Sequence, residues 1–153
     1  GAHRTLLMLL AVVATNVLVS GLLAGNKESP NRRIVDAMLS GRLRYVLSDA
    51  LLVEYRRVLV RPAIAQRHGL SEDDVDAVLE TLVLNAGFRE GPAASGDLPA
   101  GCDPPLVPGG EHVVALMDAA PSAVLVTGDQ LLAEAVAAWR TVLTPAGFAA
   151  TSL

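Results

Sequence analysis

Carboxylates and arginines carry most of the chemistry open to this sequence. Asp129 ends the short apolar run of Val126-Thr127-Gly128-Asp129, and a second break, Ala14-Thr15-Asn16, follows the apolar run that closes at Val13. In an open α/β sheet, sites form just outside the carboxyl ends of the strands, so both breaks fall where chemistry would be placed. Carboxylate oxygens suit Mg2+ or Mn2+, and guanidinium groups suit phosphates. Taken singly, each acid also has a plain structural explanation. Asp129 is a good N-cap for a helix beginning at Gln130. Glu54 can pair with Arg57 at i, i+3 for about 0.2–0.5 kcal/mol. Glu111 complements the dipole of the helix it opens. Arg32, Arg33, Arg56, Arg57, Arg61 and Arg67 could track a nucleic-acid backbone, or be scattered solvated charges. His112 adjoins Glu111, but no second histidine stands at zinc spacing.

The elements needed to position these groups can be read from the pattern of apolar and capping residues. Leu6 to Val13 reads as a buried parallel-type strand, with Asn16 as N-cap of a short helix to about Leu23. Ser29-Pro30 opens a second helix that Gly41 closes. Leu43 to Leu47 is a strand, Ser48 caps a helix through Leu59, and Pro62 opens a short helical piece ending at Gly69. Ser71 and Asp74 make a capping-box-like start for a helix to about Ala86. Phe88 to Glu90 reads as a short strand, and residues 91–110, rich in Gly and Pro, as the longest loop. A helix over Glu111 to Ala120, a strand over Ala123 to Thr127, a helix over Asp129 to Trp139 and a strand over Thr141 to Leu143 complete the series. Strands alternating with helices imply a mostly parallel sheet covered on both faces.

The 153 residues fit one domain, able to bury about two-thirds of its unfolded surface. Hydrophobic residues make up 52% and aromatics 3%, so the core must be aliphatic, and Trp139 is expected to fill it. A formal net charge of −4 argues against indiscriminate coating of nucleic acid. The single Cys102 excludes an internal disulfide and fits a reducing cytoplasm. Residues 1–3, Gly-Ala-His, look like the scar of a cleaved tag, which would account for His3. Residues 5–25 carry no charge and imitate a membrane segment or signal peptide. Thr15, Asn16 and Ser20 interrupt that run, and a buried strand followed by a short helix explains the same residues without a membrane.

From about Leu9 to Phe148 the chain resembles the PIN-domain ribonucleases, and the toxin–antitoxin type among them. The opening stretch VVATNVLVSG is similar to the family's first motif, a strand ending in Asp-Thr-Asn. LLVEYRRVLVRP, EHVVALMDAA, LVTGD and LTPAGF resemble its later segments in the family's order. The resemblance implies a three-layer α/β/α fold with a mostly parallel central sheet, and a Mg2+- or Mn2+-dependent endoribonuclease. Its metal acids would be Glu54, then Glu111 or Asp103, then Asp129, with Asn16 beside them and Arg56, Arg57 and Arg61 toward RNA. A cytoplasmic homodimer bound by a cognate antitoxin protein is implied in the same way.

Two departures stand out. Asp103-Pro104 is separated from Glu111 by PLVPGG, so either acid could supply the third position; Glu111 is favoured because it directly precedes the apolar helix, with Asp103 the alternative. Ala14 stands where the family's first acid belongs, either as a natural degeneration or as an Asp→Ala replacement. Weakened metal binding and little or no nuclease activity are expected. A non-catalytic PIN module binding RNA or protein is the alternative. No Gly-rich phosphate loop follows the first strand, which argues against a nucleotide-binding α/β domain.

Overall fold

The computed structural model describes residues 9–88, 105, 107 and 109–153. Its sheet is built from very short apolar strands. β1 (Ala11–Val13) and β4 (Val124–Val126) are buried at every position. Strands without a polar face must be covered on both sides. β1 pairs with β4 in parallel, from Ala11↔Val124 to Val13↔Val126, and β4 pairs in parallel with β5 (Val142–Leu143). β2 (Val46–Leu47) pairs in parallel with β3 (Gly87–Phe88). A parallel bridge between Ala11 and Tyr45 joins the two groups. The resulting order is β3-β2-β1-β4-β5, with helices on both faces. This is the expected three-layer α/β/α fold with a mostly parallel central sheet. The chain turns from β1 to β2 on one side, while β4 lies on the other. Their carboxyl ends therefore open at a topological switch point.

The helices follow local signals closely. They are α1 (Thr15–Leu23), α2 (Pro30–Leu39), α3 (Asp49–Leu59), α4 (Pro62–His68), α5 (Glu72–Asn85), α6 (Glu111–Ala119), α7 (Gln130–Ala137) and α8 (Pro145–Ser152). Ser29 and Ser48 accept the N–H groups of Arg32 and Leu51. Ser71 and Asp74 form a complete capping box. Gly41 and Gly69, just beyond α2 and α4, have φ of 76° and 69°, the left-handed conformation that favours glycine. The expected closing strand is present as β5, and in place of the expected turn a last helix, α8, follows it: Thr144 accepts Gly147 N–H and Pro145 takes the first helical position.

Other expectations need correction. Leu9 and Leu10 lie outside β1, and β2 holds only two of the five residues anticipated for it. Asn16 is not an N-cap. Ala14 occupies that position without a side-chain bond, and Asn16 lies within the first turn of α1. Trp139 packs against the core from its edge and is only half-buried, with Arg140 over its ring at 5.2 Å. Leu6, His3, Glu90, Cys102 and Asp103 lie outside the described residues, as does most of the loop 91–110. No described helix is long and apolar enough to cross a membrane.

The core is aliphatic apart from Tyr45, Tyr55 and Phe148, which are fully buried or nearly so. Both tyrosine hydroxyls find backbone acceptors, as burial demands. Tyr45 donates to Leu82 O and Tyr55 to Val13 O, each at 2.5 Å. The second bond ties α3 to the last residue of β1. It fixes the preceding residue of that helix, Glu54, near the end of the strand. Close packing of α1 on α2 depends on Gly21, where a Cβ would stand 2.4 Å from Val35 Cγ2 and 2.6 Å from Asn31 O.

Candidate functional site

The ends of β1 and β4 and the starts of α1, α6 and α7 enclose a cavity of about 250 Å3. Ala14, Asn16, Glu54 and Asp129 all line it, as do Arg57 and Arg61. Residues separated by more than a hundred positions are thus gathered at one point. Glu111 is not among the lining residues, whereas its neighbour His112 is. Ala14 is 2% exposed, and its backbone N–H donates to Val126 O at 3.0 Å, stitching the strand ends together.

Glu54 is the most heavily engaged side chain in the cavity. Its Oε2 accepts a hydrogen bond from Thr15 Oγ1 at 2.7 Å and lies 2.5 Å from His112 Nε2. An ionised carboxylate only accepts, so the hydrogen in the second contact belongs to the imidazole. Oε1 accepts from Arg57 Nη2 at 3.1 Å, the i, i+3 pair that helical spacing allows. With its side chain only 20% exposed, Glu54 needs such partners to offset lost hydration.

Asn16 works across the crevice. Its Nδ2 donates to Thr127 Oγ1 at 3.0 Å and its Oδ1 accepts from Gly128 N–H at 2.9 Å. Thr127 Oγ1 in turn accepts Asp129 N–H at 3.1 Å. This chain of bonds sets the turn from which Asp129 projects. Asp129 Oδ1 caps α7, accepting from Leu131 and Leu132 N–H at 2.9 and 3.3 Å. Its other oxygen makes no hydrogen bond among the described residues. Glu111 turns back to accept Gly109 N–H at 3.1 Å. Backbone N–H groups of Glu111 and Gly109 hold its carboxyl below the usual carboxylate range, as expected for an acid opening a helix.

The arginines separate into two kinds. Arg32 pairs with Asp36, and Arg56 with Asp76 and Glu72. Arg61 and Arg67 make no ion pair among the described residues and line cavities on the site's side of the molecule. His68 closes a helix junction: Nε2 reaches Leu59 O at 2.8 Å while Nδ1 accepts Leu70 N–H at 2.9 Å.

Residues 11–131 match the family model of the PIN domain. The chain belongs to the PIN-domain family. No curated protein matches it. The matched span runs from β1 through the first turn of α7, so it contains every residue that lines the cavity except Leu132.

PIN domains generally bind divalent metal, which makes the fit of this site to a cation testable on its own side chains. Both Glu54 oxygens are taken by donors, and one Asp129 oxygen is spent on the helix cap. Ala14 offers a methyl group at the strand end. Among the described residues, no group of three or more His, Cys, Asp or Glu side chains is arranged to hold a metal ion. In this arrangement the residues do not fit a divalent cation. His112 is the participant that sequence reasoning passed over. Histidine spacing does not reveal it, because its partner is a carboxylate 58 positions away.

Proposed function

We propose that this chain is a ribonuclease-type PIN domain directed at RNA, in which Ala14 leaves phosphodiester hydrolysis impaired. The observation that carries the reading is the convergence of Ala14, Asn16, Glu54 and Asp129 on one small cavity at the sheet's switch point. Arg57 and Arg61 on its rim would hold the phosphate backbone, and Asn16 would keep the turn carrying Asp129 in place. Glu111 and Asp103 both remain in contention for the third acid of the family pattern. A toxin–antitoxin role, with a homodimer and a cognate antitoxin partner, is part of the same proposal.

A second reading, a non-catalytic module binding RNA or protein, is favoured by one specific observation. The Glu54 carboxylate is satisfied by Thr15, His112 and Arg57, leaving it little capacity for chemistry.

A fluorescent single-stranded RNA incubated with Mn2+ and the unaltered chain, Ala14→Asp, or Ala14→Asp with Glu54→Gln, tests both. The first reading expects cleavage by Ala14→Asp alone, with only a trace from the unaltered chain. Salt-dependent RNA binding without cleavage by any variant would favour the second. Cleavage by Ala14→Asp that Glu54→Gln leaves undiminished would sink the assignment of this site.

A further inference from the structure

We infer that Thr15, His112 and Arg57 replace a divalent cation around Glu54, so that this chain holds its site together with its own donors and takes up no metal there. The inference rests on the proposed assignment of the cavity as the PIN site. Two other elements reach Glu54 from across the cavity, Thr15 at the start of α1 and His112 in the first turn of α6, while Arg57 adds a donor from Glu54's own helix α3. Drawing such elements together at a carboxylate is what a bound cation would otherwise do. Here the carboxylate is already the hub.

Charge balance points the same way. The cavity's described lining carries two acids, Glu54 and Asp129, against two guanidinium groups, Arg57 and Arg61. Divalent cations are drawn to surplus carboxylate charge, and that lining has none. An acid at position 14 would create the surplus; alanine removes it. Geometry adds a further obstacle. With His112 Nε2 at 2.5 Å from Oε2, an imidazole already occupies the space in front of that oxygen. A cation could bind Oε2 only by displacing His112 or Thr15, leaving a half-buried donor without its partner. Loss of the acid at 14 and the presence of histidine at 112 are therefore complementary features of one closed network.

The test is Mn2+ titration by calorimetry, with thermal unfolding in Mn2+ or EDTA, on the unaltered chain, Glu54→Gln, His112→Asn, Ala14→Asp and Ala14→Asp/His112→Ala. The unaltered chain should give no binding heat and the same Tm in both media. His112→Asn should lower Tm in EDTA, because the shorter amide cannot reach Glu54 Oε2 in place of the imidazole Nε2. Ala14→Asp/His112→Ala should bind Mn2+ about tenfold more tightly than Ala14→Asp, the scale on which neighbouring groups tune metal sites. Mn2+ binding by the unaltered chain that Glu54→Gln abolishes would overturn the inference, as would equal affinity in the two Ala14→Asp backgrounds. If Ala14→Asp/His112→Ala does not fold, Ala14→Asp/His112→Asn takes its place. These readouts are independent of RNA cleavage: an inactive Ala14→Asp would sink the ribonuclease reading without altering the order of Mn2+ affinities.

Discussion

A single side chain, Asn16, joins the two strand ends that make the site. Its bonds to Thr127 and Gly128 span more than a hundred positions of sequence. Asn16→Ala should cost about 1 kcal/mol in chemical denaturation, the usual net value of such bonds. It should also loosen the turn carrying Asp129, seen as faster amide exchange at Gly128. An unchanged exchange rate would count against this role. Tyr45 gives a second prediction at the same scale. Burial pushes its hydroxyl up to about 12 from an ordinary value near 10. The unfolded chain therefore loses this proton first as the solution becomes alkaline. The stability contributed by Tyr45 is complete below pH ~10 and falls away as pH rises toward about 12. Tyr45→Phe should be less stable at neutral pH and show a flatter decline across that window. The resemblance places Asn16 beside the site, but neither its partners nor those of His112 are readable from the sequence. Spacing reveals partners within a helix, such as Glu54 and Arg57, but not partners brought together by the sheet.

Elements were legible where their signals are local. Ser29, Ser48 and the Ser71–Asp74 box each cap the helix that their spacing predicts. The strands were overdrawn because apolar runs record burial, not pairing: Leu43 is buried, yet its N–H bonds to Ala37 O instead of joining a strand. Asn16 has a capping residue's type, but its partners Thr127 and Gly128 lie on the far strand end, which no local signal shows. Arg140 is a feature that local signals do not show. Its guanidinium donates to Met117 O, Ala120 O and Ala123 O at 2.7–2.8 Å, closing the C-terminal end of α6 and the approach to β4. One planar fork satisfies three carbonyls, which a lysine ammonium cannot match in geometry. Arg140→Met should destabilise the fold by about 2–3 kcal/mol, with Arg140→Lys recovering only part of the loss. A denaturation midpoint unchanged by Arg140→Met would show that water replaces the side chain freely.

For the molecule as a whole, a negative net charge has to be reconciled with a proposed RNA partner. The formal charge of −4 sets a weakly repulsive average, but binding depends on where the cations stand. Arg56 is committed to Asp76 and Glu72 on the α3–α5 side, so its charge is largely spent. Arg61 is exposed at the cavity rim without an ion pair among the described residues. The sequence offered both as equal candidates, since their neighbours in space belong to other elements. If RNA runs over the β1–β4 crevice, Arg61→Ala should weaken binding and lower the dependence of log K on log salt by roughly one counterion's worth. Arg56→Ala should leave that slope unchanged and cost little stability, as exposed ion pairs do. Fluorescence anisotropy of a labelled single-stranded RNA across a salt series separates the two. A slope that drops for Arg56→Ala and holds for Arg61→Ala would move the RNA path off the crevice and onto the α3–α5 face.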